Sequence, residues 1–70
     1  MLTIDQIIAH LERTIAEDRL AGNRYGLKNA QTAAGFLMAA AQAADDKGLA
    51  RRFQILAAQA ANKAEELDDA

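Results

Sequence analysis

The sequence predicts an all-α fold: a small antiparallel three-helix protein, built as a helical hairpin plus an N-terminal helix, with Ala-rich packing and an oligomeric state. Three observations carry this expectation. Pro, Val, Ser and Trp are absent and alanine fills about a quarter of the chain, so strong helix formers dominate and turn-forming residues are scarce. Apolar residues recur every three or four positions along three long stretches, the periodicity of amphipathic helices. Two short clusters rich in Gly, Asn and Asp separate those stretches, at 22–23 and 45–48, and connections that short make neighbouring helices antiparallel.

The first helix begins after Thr3. Its hydroxyl caps a free N–H, and Gln6 completes a capping box. Asp5 adds negative charge in the first turn, where the helix dipole favours it. Ile4, Ile8, Leu11 and Ile15 form an apolar stripe that Ile7 widens, while His10, Glu12, Arg13, Glu17 and Asp18 fall mostly off it. The helix should stop near Leu20 or Ala21, with Gly22 supplying a left-handed cap.

Asn23 is the natural N-cap of the second helix, which runs to about Asp46. It starts at Arg24 or, because Gly26 weakens the first turn, as late as Leu27. Leu27, Ala30, Ala34, Leu37, Ala41 and Ala44 share one narrow face, and Tyr25, Thr32, Phe36 and Ala39 or Ala40 lie on another. Its centre is the stretch Ala30 to Ala44, AQTAAGFLMAAAQAA. Phe36, Leu37 and Met38 are consecutive there, about 100° apart around the axis, so they cannot all face one neighbour. The span therefore needs cover on more than one side. Gly35 costs about 1 kcal/mol relative to alanine in mid-helix, a cost that a close backbone contact or a bend would offset.

At the second turn, either Gly48 closes the second helix or Asp45 or Asp46 caps the third. The third helix carries Leu49, Phe53, Leu56, Ala60 and Leu67 in a four–three rhythm, with Lys63 and Ala64 sharing the remaining position and Ile55 pointing away. It ends in the acidic EELDDA, expected to fray. Antiparallel packing would bring Glu65, Glu66, Asp68 and Asp69 beside Arg19, Arg24 and Lys28. Such surface pairs bias orientation more than they stabilise.

Seventy residues make one helical domain, 1–70. A chain this short buries only about 60% of its unfolded surface, so its core is marginal unless something adds to it. With no Cys and a single histidine, His10, disulfides, thiolate metal sites and a His-rich zinc site are excluded. Association with another chain is the addition that remains, so a homo-oligomer is expected. The net charge of −2 and pI near 5.1 argue against polyanionic partners. The N-terminal MLTIDQIIAH has no basic region ahead of its apolar residues and does not read as a secretory signal. No apolar run reaches the roughly 18–20 residues of a membrane span. A cytoplasmic protein without a membrane partner is the expectation.

The residues offer little for catalysis. Ser and Cys nucleophiles are absent. The carboxylates come in adjacent pairs near helix ends, Glu17–Asp18, Asp45–Asp46, Glu65–Glu66 and Asp68–Asp69, where solvated charge is the ordinary role. His10 lies on a helix flank, and the glycines are too scattered for a phosphate-binding loop. A non-enzyme with no catalytic residue, cofactor or metal is expected. For nucleic acid, Lys47, Arg51 and Arg52 open the third helix in the manner of a recognition helix. The negative net charge and the neighbouring Asp45–Asp46 pair weigh against that reading. The surplus apolar residues point elsewhere: Phe36, Leu37, Met38, Phe53 and Ile55 exceed what one buried face per helix requires. They are the expected protein interface, with self-association through the second and third helices. Alanine-rich faces let helices approach to about 8 Å, which leaves little room for a small ligand. The expected role is therefore an adaptor, regulator or inhibitor acting on another protein, of a kind phages and mobile elements also carry.

Overall fold

The computed structural model describes residues 1–68, which form three helices and no strand: α1 Ile4–Ala21, α2 Arg24–Ala43 and α3 Lys47–Asp68. Asp69 and Ala70, including the last acidic residue expected near the basic side chains, lie outside the described residues.

α1 starts as its sequence dictates. The Gln6 amide donates to the Thr3 hydroxyl oxygen at 3.1 Å, and the Gln6 side chain accepts from the Thr3 amide at 2.9 Å, a reciprocal capping box. At its end, the Asn23 amide reaches the Asp18 carbonyl at 2.8 Å and the Gly22 amide reaches Arg19 at 3.2 Å. This is the Schellman pattern, with Gly22 left-handed at φ 69°. Asn23 then caps α2, its side-chain oxygen accepting from the Gly26 amide at 3.0 Å. α2 therefore starts at Arg24, the earlier of the two expected positions.

The second connection repeats this device with different residues. The Asp46 amide donates to the Ala41 carbonyl at 2.9 Å and the Asp45 amide to Gln42 at 3.0 Å, with Asp45 left-handed at φ 58°. Asp46 caps α3 by accepting from the Leu49 amide at 3.1 Å. In both turns a left-handed residue is followed at once by an Asx cap. The left-handed Asp45 corrects the expected run of α2 to Asp46: the helix ends at Ala43, and Ala44 is an exposed cap. Gly48 falls inside α3 and closes nothing. Since Asp45 occupies the position where glycine costs least, Asp45→Gly is expected to stabilise the fold by up to about 1 kcal/mol, read as a raised urea midpoint with an unchanged m-value.

α2 and α3 make the most extensive contact, and α1 packs against both more lightly. The core joins Ile8, Leu11 and Ile15 of α1, Leu27, Ala30 and Ala34 of α2, and Phe53, Leu56, Ala60 and Ala64 of α3. Ala34 and Ala60 are fully enclosed along with Leu27, because side chains this small let α2 and α3 approach closely. Ala64, not Lys63, takes the position the two were expected to share. No polar or charged side chain among the described residues is buried.

Ile4 departs from the expected stripe and is 44% exposed. Its neighbour Asp5 stands 3.8 Å from Arg52, so Ile4 lies level with the start of α3.

Two glycines exchange their expected roles. Nothing lies within 4 Å of a Cβ built on Gly35, so no close contact offsets its cost. At Gly26 a Cβ would stand 2.6 Å from Asp18 Cγ, so the close approach of backbone to side chain occurs there. Gly35→Ala is accordingly expected to stabilise the helix by about 0.5–1 kcal/mol, measured by urea unfolding.

Candidate functional site

The acidic end of α3 meets basic residues around the first turn, as expected. Arg24 pairs with Asp68, and Arg19 Nε lies 3.8 Å from Glu66 Oε2. Glu66 also receives Lys63 Nζ at 3.5 Å. The hydrogen bond to Asp68 holds the Arg24 guanidinium pKa above its ordinary value. The same guanidinium lies 5.7 Å above the Tyr25 ring, within cation–π range. No ion pair to Lys28 forms among the described residues.

The five expected interface residues separate into three environments. Phe53 is 1% exposed and sits at the centre of the core, which corrects its assignment to an interface. It follows the α3 stripe and fills the space between α2 and the isoleucines of α1. Leu37 and Met38 are half-buried against the same core. They flank the inner face of α2 on either side, as the 100° step between them requires. Phe36 is 75% exposed. Ile55 is also exposed, and it opens into a shallow groove between α1 and α3 lined by Ile8, Glu12, Arg52, Leu56 and Gln59. Phe36 and Ile55 are therefore separate features.

The outer side of α2 is the more extensive feature. Leu27, Ala30, Ala34 and Ala41 commit the inner side to the core. The residues turned away, Tyr25, Asn29, Thr32, Phe36, Ala39, Ala40 and Ala43, are all exposed. Between Lys28 and Asp45 the chain has no charged side chain, so most of α2 presents an uncharged surface with an aromatic ring at its middle. A helix without a charged side normally has both sides covered. Thr32, the polar member, satisfies its hydroxyl locally by donating to the Lys28 carbonyl at 3.0 Å.

The basic residues at the start of α3 are also divided. Lys47 and Arg51 line an open depression with Gln42, Asp45, Ala50 and Gln54. Arg52, one residue and about 100° further round, turns into the α1–α3 groove and faces Asp5 at 3.8 Å. Each arginine has an acidic residue nearby, so the sequence cluster does not form one basic face. His10 is exposed on α1, and no group of three His, Asp or Glu among the described residues is placed to hold a metal ion.

Exposed Leu20, Met1 and Leu2 were not singled out by sequence reasoning. Leu20 is a helix-terminal leucine off the Ile8–Leu11–Ile15 stripe, and that offset is the signal that would have found it. No helix among the described residues is long and apolar enough to cross a membrane. Compared with known protein families, curated proteins and solved structures, the chain matches none.

Proposed function

We propose that this chain is a non-enzymatic antiparallel three-helix module that self-associates and acts by binding another protein, as an adaptor, regulator or inhibitor. The antiparallel reading is supported by the pairing of Arg24, at the start of α2, with Asp68, at the end of α3. It is also supported by Asp5 and Arg19 meeting Arg52 and Glu66 at matching intervals along α1 and α3. A cytoplasmic setting belongs to the same proposal, and a sequence without cysteine is compatible with it.

The observation that carries the binding role is the exposed, uncharged outer face of α2 around Phe36. Depletion of charge around an exposed aromatic is the composition of an interface centre. The test is affinity capture from the native host with the natural chain and the Phe36→Asp variant side by side. Proteins retained by the first and lost by the second are expected; identical retention by both contradicts a binding role for this face.

The competing reading, a nucleic-acid-binding regulator, draws on Lys47 and Arg51 sharing one depression with Gln42 and Gln54. It requires a mobility shift that weakens steeply with salt and disappears with Arg51→Glu and Arg52→Glu.

A further inference from the structure

We propose that the acidic last turn of α3 is a salt-sensitive latch. Two ion pairs to basic residues around the first turn hold it helical, and their release frays it and frees Arg19 and Arg24 together. The proposal is independent of the binding role given to the outer face of α2.

The last turn of α3 is charged against its own helix. Glu65, Glu66 and Asp68 put carboxylates at its end, with no basic side chain in that turn. The C-terminal end of a helix dipole repels negative charge, so a turn of this composition frays when left to itself. α1 ends in the opposite way, with Arg19 in its last turn and the Gly22 amide satisfying its carbonyls. Yet α3 stays helical to Asp68. The opposing attraction comes from the other two helices. Arg24, the first residue of α2, donates a hydrogen bond to the Asp68 carboxylate. Arg19 of α1 stands 3.8 Å from Glu66. Within α3, Lys63 adds a local contact to Glu66 at 3.5 Å.

These pairs are of a kind that salt loosens. All four side chains that bridge the helices are partly exposed, and at 1 M ionic strength the screening length falls to about 3 Å. Leu67, the apolar residue of the turn, is half-buried against the core. It lines a shallow depression with Gly22, Asn23, Arg24 and Tyr25, so it anchors the turn from one side. When Glu66 and Asp68 withdraw, both guanidiniums lose their acidic partners at once, and Lys28 lies one helical turn from Arg24. The acidic end of α3 thus shields the basic residues around the first turn for as long as the latch is closed.

The test is residue-resolved amide exchange on the full chain at constant pH and temperature, with Leu56 and Ala60 as core references. At low salt the Leu67 and Asp68 amides are expected to be protected. Raising sodium chloride to about 1 M should speed their exchange about three- to fivefold, the size of two exposed ion pairs, while the core references hold. Arg19→Gln combined with Arg24→Gln should give the same acceleration at low salt and remove the response to added salt. Adding Glu65→Lys to that variant should slow exchange again, since a cation in the last turn offsets the dipole without either arginine. Exchange at Leu67 and Asp68 that ignores both salt and the arginine substitutions overturns the proposal, because packing of Leu67 would then hold the turn by itself. A last turn already unprotected in the natural chain at low salt overturns it too. Equal acceleration at Leu56 and Ala60 does the same, since it reports opening of the whole fold.

Discussion

Phe53→Ala is expected to remove a third or more of the stability of the fold and to lower its melting transition steeply. Phe53 is the larger of the two big side chains that are fully enclosed, the other being Leu27. It joins α3 to residues from both other helices in the central cluster. Removing a buried phenyl ring costs about 3–5 kcal/mol, because lost transfer energy and an unfilled cavity add together. A chain of this length has only about 4–10 kcal/mol of stability in all. There are no disulfides to limit the loss. Circular dichroism at a fixed low concentration should show most of the helical signal gone, or a melting transition displaced far below that of the natural chain. A transition within a few degrees of the natural one would mean that Phe53 does not occupy the core.

Ala60→Leu is expected to be the next most damaging change, through overfilling. Ala60 and Ala34 have no exposed surface, and the close contact of α2 with α3 depends on side chains of that size. Three added carbons must displace Leu27, Ala30 or the helix axes themselves, at about 1–3 kcal/mol or more. For a domain this small that corresponds to a melting temperature lower by roughly 5–20 °C. Ala58→Leu is the matched control: Ala58 is exposed on the same helix, and leucine there should change the transition by no more than a few degrees. Equal effects from the two substitutions would refute the role given to small residues between α2 and α3.

The turns explain why local features were readable from sequence while their consequences were less so. Thr3 with Gln6, Gly22 and Asn23 each act within a few residues of themselves, and their side-chain chemistry already determines the capping. Asp45 shows the boundary of that reasoning. An aspartate tolerates the left-handed conformation without requiring it, so the end of α2 depended on how Ala41 and Gln42 could accept from the Asp46 and Asp45 amides. The stripe residues Ile8, Leu11, Ile15, Leu27, Phe53 and Leu56 were identifiable from period alone, and they form the core.

What period cannot provide is the neighbour on the other side. Ile4 continues the stripe of α1, yet it is 44% exposed. Phe53 and Phe36 look alike as exceptional aromatics in an alanine-rich chain, but one closes the core and the other faces outward. Their difference lies in angular position relative to the inner stripe of each helix, which becomes decisive only once the inner stripe of α2 is identified as Leu27, Ala30, Ala34 and Ala41. Arg51 and Arg52 make the same point for charge. Adjacent in sequence, they diverge by about 100° and serve different grooves.

The central claim is that α2 has two working sides, an inner one that holds the fold and an outer one that meets another chain. A dilution series of amide correlation spectra on isotopically labelled protein tests it most directly. Concentration-dependent shifts should concentrate at Asn29, Thr32, Phe36, Ala40 and Ala43, while Leu11, Leu27 and Phe53 stay fixed. Shifts gathered instead around Ile55 and Arg52 in the α1–α3 groove, or no shifts on α2 across the range in which the mass doubles, would contradict it.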